Sequence, residues 1–205
     1  MILEKPIFLR AALGVVLIAA YCPQLVLAPA YGEEVSMETL LLCGFGSDQP
    51  RCEWSVQNDT VMGGRSAGGF QLREDELFFS GLTNTNGGGF SSIRLSLPSI
   101  DLSEYAGIRL NVRADGRKYT WSIQTDALWR GRKVSYWTDF TPEGNESSLI
   151  DIPFTAFLPQ FRGFKLSGPP MNTRNITEFA LYQYDKTDGP FSLTLTSVEA
   201  YKNER

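Results

Sequence analysis

Ile108-Arg-Leu-Asn-Val-Arg-Ala-Asp-Gly-Arg-Lys-Tyr-Thr-Trp-Ser-Ile-Gln124 is the stretch that decides the fold class. Ile108, Leu110 and Val112 alternate with Arg109, Asn111 and Arg113, and further on Tyr119, Trp121 and Ile123 alternate with Thr120, Ser122 and Gln124. Successive side chains of a strand point to opposite faces, so each run has one apolar and one polar face. Tyr119 and Trp121 fall on the core side. Between the runs, Asp115-Gly116-Arg117 reads as a hairpin turn, because Asp-Gly supplies the left-handed backbone such a turn needs.

The same rhythm extends in both directions. Leu40 to Phe45, Glu76 to Leu82, Phe90 to Leu97, Lys133 to Phe140, Ser148 to Ile152, Glu178 to Tyr184 and Phe191 to Tyr201 are short apolar runs separated by Gly, Pro, Asn and Asp clusters. Helical periodicity is confined to a turn near Thr155 to Leu158. About nine strands so spaced predict an all-β, jelly-roll β-sandwich of two antiparallel sheets. No linker, repeat or low-complexity stretch divides residues 40–202, so they read as one domain.

Composition narrows the function. Hydrophobic residues are 42% and charged residues 20% of the 205, as in globular proteins. The net charge of −4 and the lack of any basic run argue against a nucleic-acid partner. The chain has no histidine, which removes Ser-His-Asp and Cys-His chemistry and the commonest metal ligand. No cofactor or metal is expected. Carboxylate pairs for glycoside hydrolysis would have to be drawn from Asp59, Asp115, Asp126 or Asp185, brought to roughly 5–9 Å of each other, and the sequence gives no sign of that. The reading is a protein that binds without catalysis.

The first thirty residues resemble a secretory leader: Lys5 and Arg10, an apolar run from Ala11 to Ala20, and Ala28-Pro29-Ala30 as a cleavage site. Left uncut, residues 11–31 are apolar enough to serve as a membrane anchor. The expected destination is exported: periplasm, thylakoid lumen or extracellular space. Cleavage after Ala30 removes Cys22 and leaves Cys43 and Cys52 in a compartment that permits disulfides. A Cys43–Cys52 bridge is expected, worth about 3 kcal/mol in the chain-entropy account; the alternative is two unlinked buried thiols. Sequons stand at Asn58, Asn145 and Asn175.

Two glycine-rich stretches stand out. In Asn58-Asp-Thr-Val-Met-Gly-Gly-Arg-Ser66 the Asn58–Asp59 pair either faces a ligand or satisfies its own turn. Asn86-Gly-Gly-Gly-Phe-Ser-Ser-Ile-Arg94 lacks the Lys-Ser/Thr pair of a phosphate loop. With Ile93, Leu95 and Leu97 inward, Phe90, Ser92 and Arg94 lie on the opposite face. Arg109, Asn111 and Arg113, and likewise Gln124 and Asp126, are opposite the core face of their strands. Trp129, Trp137 and Tyr182 are possible stacking partners for such a surface. The residues expected to bind a ligand or partner are Asn58, Asp59, Arg94, Arg113 and Gln183.

Asn58 to Ser66, Gly88-Gly-Phe-Ser-Ser-Ile-Arg94, Asp115-Gly-Arg-Lys-Tyr119, Ile152-Pro-Phe-Thr-Ala-Phe157, Phe161-Arg-Gly163 and Tyr184-Asp-Lys-Thr-Asp-Gly-Pro-Phe191 follow one another in an order that resembles the complex I intermediate-associated protein 30 family, from roughly Leu41 to Tyr201. The resemblance implies a galactose-binding-like β-sandwich, similar to some carbohydrate-binding modules, and no enzyme. It implies a chaperone-like assembly role for a membrane complex, with an assembly intermediate as protein partner. Two features depart from the family pattern: Ala114 stands where glycine is usual, and the first thirty residues read as an export leader instead of an organelle presequence. An exported protein does not meet a matrix-side intermediate, so the partner expected is a different membrane complex or a glycan.

Overall fold

The structure, a computed structural model, describes residues 38–49 and 52–203. The leader and Cys22 lie outside them. Thirteen strands are formed among the described residues: β1 Thr39–Gly44, β2 Trp54–Asn58, β3 Ala67–Arg73, β4 Glu76–Thr83, β5 Ser91–Ile100, β6 Gly107–Ala114, β7 Tyr119–Trp129, β8 Arg132–Phe140, β9 Ser148–Pro153, β10 Leu158–Phe161, β11 Phe164–Lys165, β12 Ile176–Gln183 and β13 Gly189–Tyr201. Single 3-10 turns at Asp59–Met62 and Phe154–Ala156 are the only helical elements among them. No helix of the described residues is long and apolar enough to cross a membrane.

All pairings are antiparallel, and they build a β-sandwich of two sheets. One runs β3-β4-β13-β6-β9, with β1 also on β13; the other runs β11-β10-β8-β7-β12-β5-β2. Leu77, Phe79, Ile108, Leu110, Val112, Leu193 and Leu195 from the first meet Ile93, Leu95, Tyr119, Trp121, Ile123, Phe179 and Leu181 from the second in one core. Tyr119 and Trp121 are fully buried, as the alternation requires.

β13 organises the smaller sheet. β4 pairs with its first half and β1 with its second, while β6 pairs along residues 193–201. A bulge between Leu195 and Ser197 shifts the parity, so that Leu195 and Val198 are both buried. Strict alternation would have turned one of them to solvent.

The Asp-Gly segment corrects the local reading. β6 and β7 are not a hairpin: β6 pairs with β13 and β9, and β7 with β12 and β8. Asp115-Gly116-Arg117-Lys118 is an arch from one sheet to the other. Gly116 does adopt positive φ, 80°. Anchoring explains the crossing: Asp115 accepts the Ser192 N–H at 2.7 Å and the Tyr119 hydroxyl at 3.0 Å. The Arg117 fork closes on Asp185 at 2.7 and 2.9 Å and donates to the carbonyls of Thr187, Gly189 and Pro190. Two strands with matched apolar faces can thus oppose each other across the core as readily as side by side.

Four strands exceed the expected set. β2 lies inside a stretch dominated by its turn-forming continuation, β3 carries Gly68-Gly69, β10 carries Pro159, and β11 has two residues. Each weakens the strand pattern.

Cys43 and Cys52 are joined, with Cα atoms 6.0 Å apart, tying β1 to the approach to β2. Reduction is expected to lower the unfolding free energy by about 2–3 kcal/mol in denaturant melts with and without reductant. Denatured, unreduced chain lacking residues 1–30 should show no free thiol; two titratable thiols would contradict the bridge.

Candidate functional site

The site begins with one carboxylate. β2 ends at Asn58, the chain turns through Asp59–Met62, and Gly63 at φ 87° closes the turn with its N–H on Thr60 and its neighbour's on Asp59. The Asp59 side chain points inward, fully buried. It accepts the Ser66 hydroxyl at 2.6 Å, the Ser66 N–H at 2.9 Å, the Gly89 N–H at 2.6 Å and the Phe90 N–H at 3.3 Å. Burial alone would raise its pKa; the Gly89, Ser66 and Phe90 donors outweigh burial and hold it below the ordinary aspartate range. A β-carbon at Gly64 or Gly88 would fall inside this carboxylate. The two glycine-rich stretches are therefore one structure, clasped around Asp59.

The clasp shapes a groove of about 510 Å³ on the outer face of the seven-stranded sheet. Its floor comes from parity: Arg94 on β5 lies opposite Ala180, which lies opposite Ser122 on β7, which lies opposite Trp137 on β8. Tyr182 stacks on Trp137 at 4.8 Å, Phe90 meets Tyr182 and Tyr184 at 6.0 and 6.2 Å, and Tyr184 meets Trp137 edge-on at 5.9 Å. Arg94 donates to the Tyr182 hydroxyl at 2.5 Å and to Glu178 at 3.2 Å. Burial pushes the Tyr182 phenol up to about 12, so a neutral phenol accepts that bond. Burial also pushes the Glu178 carboxyl up, offset only in part by Arg94 and Lys133.

The walls are three turns. Val61 and Met62, 63% and 66% exposed, form one rim. Arg162-Gly163, between β10 and β11, and Lys186, after β12, form the other side. The arrangement offers ring edges, aliphatic side chains and cations in one concavity. Among the described residues no three Cys, Asp or Glu side chains converge as metal ligands would.

Of the five residues singled out in the sequence, only Arg94 lines this groove. Asp59 is the buried clasp beneath its rim. Asn58 is half-buried and donates to the Gly68 carbonyl at 3.0 Å, tying β2 to β3. Gln183 faces the core, where the Thr83 hydroxyl donates to it at 2.5 Å. Arg113 is on the other sheet, paired with Glu76 at 3.4 Å, and Arg109 near it grips Asp151 at 2.6 Å. Trp137 and Tyr182 are in the groove, whereas Trp129 packs on Phe161 at 5.9 Å outside it. Gln57, Val61, Met62, Tyr184, Arg162 and Lys186 were not foreseen. Parity cannot place the turn residues Val61, Met62, Arg162 and Lys186; their only signal was membership of glycine-bearing motifs.

The family model "Complex I intermediate-associated protein 30" matches residues 43–195. The chain is 29% identical over 182 residues to an uncharacterised protein of Schizosaccharomyces pombe, covering 78% of this chain and 83% of that one. It is 26% identical over 193 residues to "Complex I intermediate-associated protein 30, mitochondrial" of Mus musculus, covering 82% of this chain and 58% of the mouse protein. Among solved structures, a family 11 carbohydrate-binding module of a Clostridium thermocellum cellulosomal cellulase superposes with a TM-score of 0.60 at 16% identity, covering 83% of this chain and 98% of the module. Such a module in complex with a β-1,3-1,4-mixed-linked tetrasaccharide gives 0.59 at 15%, covering 82% and 97%. At these identities the structural likeness speaks to the jelly-roll fold.

Asp59→Asn leaves the donors in place and removes their charged acceptor. It is expected to cost about 2–4 kcal/mol in chemical denaturation. Because the native pKa is depressed, the stability contributed by ionised Asp59 is present at neutral pH and is lost as pH falls below about 4. The variant should therefore lose less stability than the parent between neutral and acid pH; parallel pH–stability curves would refute the clasp.

Proposed function

The chain belongs to the complex I intermediate-associated protein 30 family, and on that premise we propose that it is a non-catalytic binding factor that holds a protein client in the seven-stranded-sheet groove during assembly of a membrane complex. The observation that carries this reading is the pair Val61 and Met62: aliphatic side chains left open on a turn that the Asp59 clasp keeps rigid. Exposed apolar side chains beside a preformed concavity suit a polypeptide better than a polyhydroxylated ring. The chain spans 58% of the mouse relative, so that protein's role is carried over as part of the proposal.

On the outer face of the six-stranded sheet, by contrast, Arg109 and Arg113 are matched by Asp151 and Glu76. Asp59, Asp115 and Asp185 are each engaged by donors of the fold, which favours binding over carboxylate chemistry. The Cys43–Cys52 bridge favours an oxidising compartment and so an exported client site, while the mouse relative's name places that protein in mitochondria.

A second reading is a glycan binder in the cell envelope. The aromatic floor favours it, together with the fold shared with a module seen holding a tetrasaccharide. Against it, the Tyr182 and Trp137 rings pack on each other, tilted by 37° with centres 4.8 Å apart, and so do not form the flat free-standing plate that suits a sugar ring.

A photo-crosslinking residue at Met62, with Leu149 on β9 as control, separates the readings in the native envelope. Protein adducts are expected from Met62 and not from Leu149, and Arg94→Ala should weaken them. Adducts from Leu149 alone, or capture of polysaccharide with no protein, would overturn the proposal.

A further inference from the structure

Resting on the client reading above, we propose that the groove selects an acidic polypeptide segment, with glutamate or aspartate side chains interspersed with apolar ones. The chain as a whole is acidic, with a net charge of −4. Its groove is not. Arg94, Arg162 and Lys186 line it and no carboxylate does. The two carboxylates bonded to lining residues are already engaged: Glu178 on Arg94, and Asp59 within its own ring of donors. Arg162 and Lys186 have no carboxylate partner among the described residues. Both rest on aromatic rings, Arg162 at 5.6 Å from the centre of Phe161 and Lys186 at 3.7 Å from that of Tyr184. Those contacts hold the cations at the mouth without neutralising them.

Backbone conformation adds a second observation. Arg162 has φ 51° and Lys186 φ 64°, the left-handed region where Gly and Asn sit with least cost and long side chains are disfavoured. Of the four non-glycine residues with positive φ among the described residues, these two line the groove. Long cations are thus kept where the turns alone would prefer asparagine. An unfavourable residue retained at a concavity points to the side chain's use there.

The occupant follows by complementarity. Anionic side chains meet Arg162 and Lys186 at the mouth, and apolar side chains meet Val61, Met62 and the ring edges. A uronic-acid oligosaccharide shares the charge but not the apolar complement. An anionic lipid surface shares both, yet it would need the cations on a convex or planar face rather than inside a groove.

The test uses the full chain and short dye-labelled peptides of alternating glutamate and leucine, glutamine and leucine, or lysine and leucine, with oligogalacturonate and phosphatidylglycerol vesicles as competitors. The glutamate peptide is expected to bind at least about tenfold more tightly than the others, and to weaken about tenfold in the R162N/K186N double variant and at high salt. That variant should melt no lower than the parent, because asparagine suits both turns, so loss of binding cannot be ascribed to unfolding. Equal binding of glutamate and glutamine peptides, indifference to the double variant, or tighter binding of oligogalacturonate or vesicles would overturn the proposal. Met62 adducts with a client that survive R162N/K186N would sink charge selection and leave the client reading standing; absence of any groove adduct sinks both.

Discussion

One buried carboxylate holds the functional face together. An aspartate sealed from water costs several kcal/mol unless its oxygens are satisfied, and Asp59 is satisfied from both sides: Ser66 in its own segment, Gly89 and Phe90 in the next. Charge-assisted bonds of this kind are about twice as strong as neutral ones. They bring two loops distant in sequence into one rigid edge, and that edge presents Val61, Met62 and Phe90 to the groove. The surface chemistry of the site is thus set by a group that never reaches the surface.

A second polar centre does the same for the far wall. Arg117 reaches from the inter-sheet arch to Asp185, to the Thr187 carbonyl of the β12–β13 connection and to the Gly189 and Pro190 carbonyls at the start of β13, fixing the loop that carries Tyr184 and Lys186. Asp188 extends the tie by accepting the Thr85 N–H at 2.6 Å. The acidic residues that looked most like chemistry in the sequence are therefore joints, and the concavity is what the joints enclose.

The sandwich was legible because core burial imposes period two, and Ile108 to Ile123 displays it twice. Which sheet each strand joins was not: apolar alternation specifies that Leu110 and Trp121 point inward, and is silent on whether their strands lie side by side or face to face. Arg94 could be placed because it sits mid-strand with inward neighbours on both sides. Gln183, expected at the binding surface, is next to Tyr182, and alternation lets only one of an adjacent pair face outward; Tyr182 takes that side, and Gln183 is buried on Thr83. Val61, Met62, Arg162 and Lys186 lie on turns, where no periodicity assigns direction. Asn58 and Asp59 stand out as polar residues beside paired glycines, but neither simply satisfies its own turn: Asn58 donates to Gly68 on β3, and Asp59 accepts from Gly89 and Phe90 of the next segment as well as from Ser66.

The mutual exclusion of side-chain volume at Asp59, Gly64 and Gly88 has a consequence for heredity. Neither glycine can take a side chain while Asp59 keeps its place, since a methyl group at either would strike the carboxylate. Such a lock constrains packing whatever the molecule is used for, and it sets no such limit on the open positions between its parts. Descendants of one ancestor can then keep the same signature and exchange the cargo, so the words most easily recognised in the text describe the hinge of the hand and not what it grasps.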